Sequence, residues 1–387
     1  MKTAITETIK YIGVDDTDLD LFESQYIIPN GISYNSYLIM DEKIAIMDTA
    51  DSRKSEEWMA NLGRELQGRT PDYLVVQHME PDHAGSIAVV LEHYPNLKIV
   101  ASKRACDMLP QFFEDVDFSQ NIIAVKEGET LCLGAHTLQF FMAPMVHWPE
   151  VMITYDQKDK VVFSADGFGK FGALSHEEDW ACEARRYYFN ICGKYGAPVQ
   201  TLLKKLATLE VEHICPLHGP VLSENLGYYI ALYDTWSRYA VETEGIFIAY
   251  ASIHGGTAAV AHKLKEILEA KGAPKVSIAD LSRDDMAEAV EDAFRMDRMV
   301  VAAASYDADV FPPMHDFLHH LKLKTYQNRR VGIIENGSWA PSAARVMRGM
   351  LEQMKGIEIV EPVVTIISRM KQADIKHLEL LADQMLK

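Results

Sequence analysis

Apolar and polar positions change rhythm once along the chain, near residues 241–245. Before that point, short β-rich runs and amphipathic helical stretches alternate irregularly. Residues 33–40 and 43–48 read as a hairpin around Asp41-Glu42. Residues 52–66 predict a helix with acids near its start. The continuous apolar run 73–77 has the pattern of a strand buried on both faces. Runs at 122–125, 137–142, 151–155 and 160–164 predict further strands, and 178–190, 198–209 and 225–243 further helices. Strand clusters with helices between them predict a layered sandwich, helices outside.

Beyond the change the grammar is regular. A strand at 245–251 runs into a Gly-containing loop and a helix at 257–271. Strands at 275–281, 298–303, 330–335 and 357–364 follow, with helices near 284–294, 312–324, 341–355 and 370–387. This alternation predicts a doubly wound, five-stranded parallel sheet. The expected domains are therefore 1–244 and 245–387, with no internal repeat and no low-complexity segment.

A length of 387 residues suits two domains of ordinary size. Apolar residues at 48% and charged residues at 24% exclude a disordered or coiled-coil chain. No apolar run approaches the ~20 residues of a membrane span, and the first residues lack the apolar stretch of a secretory signal. The five cysteines are scattered and form no CxxC pair, which argues against a disulfide framework, a zinc ribbon or a rubredoxin-type iron site. A reducing cytoplasm is the expected compartment. Net charge is −18, and the part from Ile246 onward carries only −1 of it. So acidic a first half makes nucleic acid or an anionic membrane a poor partner.

The densest chemistry is Gln77-His78-Met79-Glu80-Pro81-Asp82-His83-Ala84-Gly85-Ser86, directly after the buried strand. A loop leaving a strand and entering a helix can point His78, Glu80, Asp82 and His83 inward together. Pro81 limits backbone freedom, and Ala84-Gly85-Ser86 allows close packing. Further on, His147, Asp166 and His218 each follow a predicted strand beside a small residue or proline. A lone histidine is weak evidence for a ligand; this recurrence within one domain is much stronger. Four imidazoles with three carboxylates form a harder donor set than an all-histidine site, which suits iron or manganese, although affinity order alone favours zinc. Two divalent ions balance most of their charge against three carboxylates, as a partly dry pocket requires.

HxExDH followed by spaced His, Asp and His resembles the metallo-β-lactamase fold in the variant carried by flavodiiron proteins. Zinc hydrolases of that fold usually carry histidine where this chain has Glu80. The resemblance implies an αββα sandwich followed by a flavodoxin-like domain, in the α/β and α+β classes. It implies that His78, Glu80 and His147 bind one iron, that Asp82, His83 and His218 bind the other, and that Asp166 bridges.

In the second half, Ser252-Ile253-His254-Gly255-Gly256-Thr257 sets hydroxyls and glycines at a helix start, an anion cradle. It is neither GxGxxG nor a P-loop, which points to a single terminal phosphate. With the βα alternation it resembles flavodoxin, which binds FMN at the carboxyl ends of its strands. Ser252 and Thr257 are the expected phosphate contacts. The loops with Ser305, Tyr306 and Asp307 and with Asn336, Gly337, Ser338 and Trp339 match positions that hold the isoalloxazine ring, though the first departs from the usual Ser-Pro-Thr-x-Asn pattern. Trp339 either stacks on that ring or packs on its own helix.

The resemblance implies an oxidoreductase reducing O2 to water, NO to N2O, or both. Trp148 and Tyr195 are candidates for lining its pocket. It also implies a head-to-tail homodimer or homotetramer and an external electron donor, since no fused rubredoxin follows. Rubredoxin is the expected donor and reduced deazaflavin an alternative; Arg329, Arg330, Lys322 and Lys324 are candidate docking cations. Two rivals remain: a zinc hydrolase of the metallo-β-lactamase type fused to a flavodoxin-like domain, and a flavodoxin-type carrier with an inert first domain.

Overall fold

In the computed structural model, which describes residues 4–387, the chain divides into two units. One comprises residues 4–187 with Ala197–Asp234, the other Tyr188–Gly196 with Thr235–Lys387. In the first unit, one sheet has the spatial order Ile9–Tyr11, Tyr37–Ile39, Ala45–Met47, Tyr73–Val76, Lys98–Ser102, Ile122–Val125. The other runs Thr130–Cys132, Thr137–Met142, Met152–Asp156, Val161–Phe163, His213–Cys215. Ile9, Tyr37, Val75 and Val100 of the first sheet share one core with Leu138, Phe140, Met152 and Phe163 of the second. Helix Ser55–Leu66 buries Trp58, Leu62 and Leu66, positions four apart and so on one face. This is the αββα sandwich.

The sandwich has one chemically loaded edge. Phe163 pairs with Cys215 in parallel, and Met142 with Met152 antiparallel, so the segments after Met142, Phe163 and Cys215 leave from the same side. Met152 N–H donates to Gln77 O, which brings the end of strand Tyr73–Val76 to that side as well. The expected strand at 33–40 is broken at Asn35-Ser36, and the break is functional. Asn35 Nδ2 donates to Pro216 O and Gly219 O, and Ser36 Oγ donates to Asp48 O. The chain leaves the ladder there to hold two loops of the loaded edge.

In the second unit the parallel strands lie in the order Val276–Asp280, Thr243–Ala251, Met296–Tyr306, Arg330–Asn336, Glu358–Ile366. This is the doubly wound arrangement numbered 2-1-3-4-5, whose switch point lies between strands Thr243–Ala251 and Met296–Tyr306. Helices Gly256–Ala270 and Gln372–Met385 bury Val260, Leu264, Leu378 and Leu381 in the core of one face.

The unit division differs from the expected boundary at 244/245. Tyr188–Gly196 packs with the second unit: Phe189 stacks on Phe294 at 4.2 Å, and Asn190 Nδ2 donates to Ala287 O. An aromatic helix face looks the same in sequence whichever core it enters. The candidate docking cations each have a partner within the fold. Arg329 is buried, and its guanidinium donates to the carbonyls of Met296, Phe294, Tyr239 and Ala240. Lys324 Nζ donates to Asn190 O, Lys322 to Gln353, and Arg330 pairs with Glu358. Of the four, Arg329 is withdrawn from the surface, whereas Lys322 stays exposed.

Candidate functional site

The loaded edge gathers all seven ligand candidates in two groups: His78, Glu80, His147, Asp166 and Asp82, His83, His218. Strand Tyr73–Val76 delivers His78. Helix Pro81–Ala84 then starts behind Glu80, with proline in its first turn, and turns Asp82 and His83 back toward the same space. Gly85 is required there: a Cβ would stand 2.7 Å from Ser52 N.

The geometry is that of two converging sets. Glu80 Oε2 lies 3.1 Å from both His78 Nε2 and His147 Nε2. Asp166 Oδ2 lies 3.3 and 3.1 Å from the same two nitrogens. Asp82 Oδ2 lies 3.3 Å from His83 Nε2 and 3.2 Å from His218 Nε2, while Asp166 Oδ1 faces His83 Nε2 at 3.2 Å. One carboxylate thus presents a different oxygen to each set. Donors about 2.0–2.1 Å from a shared ion stand roughly 3 Å from one another, which is the spacing seen.

Hydrogen bonds account only for the contacts of Glu80 with His78 and His147. Both oxygens of Asp82 and Asp166, both ring nitrogens of His83 and Nε2 of His218 are buried without a hydrogen-bond partner. An orphaned buried polar atom costs about 1–3 kcal/mol, and seven together fit a donor set awaiting cations. The protein's own charges partly compensate. Burial pushes the Asp166 carboxyl up, but His78, His147 and His83 outweigh it and hold it well below the usual range. Burial lowers His147, yet Asp166 and Glu80 raise it to about 9.

Several supporting residues carry no sequence signal of their own. His78 Nδ1 lies 2.8 Å from Glu150 Oε1, and His218 Nδ1 lies 2.7 Å from Ser33 O. Asp48, at φ 53°, accepts from Gln77 N and Gln77 Nε2 at 2.8 Å each. Burial outweighs those bonds and raises Asp48 to about 6. Glu23 lies in the exposed turn of the small hairpin Leu21–Phe22/Tyr26–Ile27; partial desolvation first, then the Glu80 charge, raise its carboxyl above the usual range. Phe22, Tyr34 and Tyr187 pack their rings around His218 at 5.4, 6.3 and 5.5 Å. Trp148 stands edge-on to His78 at 5.2 Å, so it does line the site. Tyr195 belongs to the segment that packs with the second unit, where Lys194 Nζ lies over its ring.

A third group, His136, Asp156 and Asp159, is differently made. Thr8 and Lys158 reach His136 Nε2 at 2.8 and 3.0 Å, Asp156 takes Nδ1, and Thr6 donates to Asp159. Its lone pairs are spent on protein, and it ties the N-terminal segment to the sheet.

In the second unit, the first-strand loop ends at Gly255 with φ 82°, and helix Gly256–Ala270 begins directly after it. Ser252 Oγ is buried without a partner, and Thr257 is buried. A Cβ on Gly256 would lie 2.7 Å from Ser368 O, so the backbone there lies against the loop after the fifth strand. That loop was not anticipated. Ser368 O accepts from Asn336 Nδ2, and its hydroxyl donates to Ser338. Ser305 Oγ accepts from the N–H groups of Ser342 and Ala343 and so anchors helix Ala343–Leu351. Asp307 and Ala308, both at positive φ, close a hairpin between Tyr306 and Asp309. This explains the departure from the flavodoxin pattern: the loop is a turn with its own geometry. Trp339 is 91% exposed and Tyr306 46%, so the packing alternative for Trp339 is removed. His254, Ile253 and Gly337 lie in the same loops.

Known proteins match the chain across both units. A family model described as "ODP family beta lactamase" matches residues 32–219. The nitric oxide reductase of Moorella thermoacetica is 30% identical over 377 residues, covering 94% of this chain and 92% of that protein. The anaerobic nitric oxide reductase flavorubredoxin of Escherichia coli is 28% identical, with 89% of this chain and 74% of that one covered. The structure of rubredoxin oxygen:oxidoreductase from Desulfovibrio gigas superposes with a TM-score of 0.92 at 25% identity, covering 100% of this chain and 98% of that one.

Proposed function

The chain belongs to the flavodiiron proteins and is an oxidoreductase, and from that premise we propose how its residues divide the work. His78, Glu80 and His147 hold one iron, Asp82, His83 and His218 the other, and Asp166 bridges them. The observation that carries this is the shared carboxylate, whose two oxygens, themselves buried without hydrogen bonds, face the two separate sets of donors. Ser252, Thr257 and the first-turn amides of helix Gly256–Ala270 hold the FMN phosphate. Ser305, Tyr306, Asp307, Asn336, Gly337, Ser338 and Trp339 border its ring.

When bound, the iron pair and the flavin supply two electrons each, the four that turn O2 into water, while two suffice to turn two NO into N2O and water. The protein's part is placement and shielding. Glu80 adds a negative charge where a zinc hydrolase has neutral histidine. Phe22, Tyr34, Tyr187 and Trp148 exclude water around the imidazoles. The substrate is O2, NO or both, and the donor is a rubredoxin. Cys106, Cys132 and Cys215 are free thiols, which suits a reducing cytoplasm.

Purification under anaerobic conditions tests this directly. FMN with about two irons per chain, and O2 or NO consumption driven by reduced rubredoxin, is the expected result. Zinc without iron would instead make the chain a hydrolase, and FMN without metal an electron carrier. Turnover only with reduced deazaflavin would replace the donor and keep the rest.

The assembly is a head-to-tail homodimer, or a pair of such dimers, in which one subunit's flavin serves the other's irons. A closed two-fold makes both contacts with one interface. Co-expression of His83→Ala with a chain altered at Ser252 and Thr257 should restore activity that neither homodimer has. Heterodimers without activity would exclude the cross-subunit route.

A further inference from the structure

We propose that Glu150 is a positioning residue for His78, fixing the imidazole proton on Nδ1 and turning the Nε2 lone pair toward the first metal position. This rests on the reading that His78 is an iron ligand.

The segment from Ala143 to Val151 is closed on itself: Ala143 N–H donates to Val151 O, and Met145 N–H to Trp148 O. Ser102 Oγ donates to Glu150 O at 2.7 Å and ties its base to the end of strand Lys98–Ser102. Three residues of this one loop surround His78. His147 shares Glu80 Oε2 with it, Trp148 stands edge-on to its ring, and Glu150 takes its far nitrogen.

The proton assignment follows from acceptor chemistry. Met79 N–H lies 2.9 Å from Glu150 Oε1 and 3.1 Å from His78 Nδ1. A carboxylate oxygen is the stronger acceptor, so the amide goes to Glu150 and Nδ1 is left to donate to the same oxygen. A histidine with its proton on Nδ1 has its lone pair on Nε2, the atom facing Glu80 and Asp166. Glu150 Oε2 is buried without a hydrogen bond. A buried negative atom left so is costly unless a positive charge lies nearby, and a cation on the far side of the ring supplies one.

The two halves of the cluster are therefore unequal. His78 donates to an ionised carboxylate, His218 to the neutral carbonyl of Ser33, and His83 Nδ1 has no hydrogen-bond partner. Hydrogen bonding to a carboxylate makes an imidazole a stronger electron donor. The iron held by His78 should then be the easier of the two to oxidise.

The test uses the full chain purified anaerobically as wild type, Glu150→Gln, Glu150→Ala and His78→Ala. Iron per chain, the rate of iron loss to a chelator and the two midpoint potentials of the iron pair are measured. In Glu150→Gln the amide oxygen still accepts both N–H groups. Iron should stay bound, the lower potential should rise, and the gap between the two should narrow. Glu150→Ala removes the acceptor and should weaken iron binding at that position roughly 10–100-fold. If the alanine variant fails to fold, the potentials of the glutamine variant carry the test. Retention of both irons by His78→Ala would remove His78 from the ligand set, a failure of the functional reading. Loss of iron in His78→Ala, with unchanged release and potentials in the Glu150 variants, would leave that reading standing and overturn the role of Glu150.

Discussion

The first unit gathers seven ionisable side chains in one place, six of them buried, whereas the second offers a cradle of backbone and small hydroxyls rimmed by exposed aromatic rings. The contrast has a physical origin. Multivalent cations need several anionic donors held against their own repulsion, and only a rigid, layered support keeps them there. Hence a buried residue lies behind many of the ligands: Glu150 behind His78, Ser33 behind His218, Thr49 bonded to the backbone of His83. A flat, amphipathic cofactor needs a phosphate anchor and an open slot, so few buried charges are committed to it. The dependence of each fold on its ligand should differ accordingly.

Asp166→Ala bears hardest on that contrast, because it strips one oxygen from each set. Iron content should fall below that of His147→Ala, which loses a donor to one set only. Turnover should drop by about a thousandfold or more, or about 4 kcal/mol of barrier at least. FMN content should stay normal, since the cradle lies in the other unit. Equal or higher iron in Asp166→Ala than in His147→Ala would place the bridge elsewhere.

Removing iron should expose the same difference in stability. A ligand present at a thousand times its dissociation constant adds about 4 kcal/mol, and the apo cluster retains seven buried atoms without partners. Chelated protein should unfold in two steps, with the step of the first unit moved down by many degrees. Removing FMN should move the other step much less. A larger shift on losing FMN than on losing iron would reverse the comparison.

What the sequence showed and what it hid divides along the same line. The βα alternation after residue 245 was legible because each strand and helix repeats one pattern. The candidate ligands stood out because four of them fall within His78–His83 and the rest follow strands. Their supports were not: Glu150 is one acid in a sequence rich in them, and the partner of His218 is a carbonyl, which any residue supplies. Helix Trp180–Ile191 ends in the second unit, and Arg329 reads as a surface cation until its carbonyl acceptors are seen. Those facts come from long-range packing, which local pattern does not encode.

Gly256→Val probes the cradle directly. The added side chain would meet Ser368 O at 2.7 Å and Asn336 Nδ2 at 3.0 Å, both on loops at the same strand ends as the proposed phosphate cradle. Overpacking of this kind costs about 1–3 kcal/mol. Because the displaced groups lie at the strand ends and not in the core, much of that cost should appear as FMN affinity, roughly tenfold or more weaker. Fluorescence of released flavin on dilution measures it. Tight FMN with a loss of fold stability would mean that Gly256 serves packing alone.

Trp339→Ala should have the smallest effect, and the most selective. An indole that is 91% exposed buries almost nothing within its own unit. Surface substitutions of that sort usually change stability by less than about 0.5 kcal/mol. A protein does not gain by exposing its largest apolar side chain to water unless something covers it, and the neighbouring Tyr306 is itself 46% exposed. If that cover is the flavin ring, the alanine variant should unfold at the wild-type temperature, yet release FMN roughly tenfold more readily, with a changed flavin absorption band. If the cover is a second subunit, FMN affinity should hold while the dimer dissociates at higher concentration. Unchanged flavin binding, spectrum and assembly would show that this rim takes no part in the chemistry of the second unit.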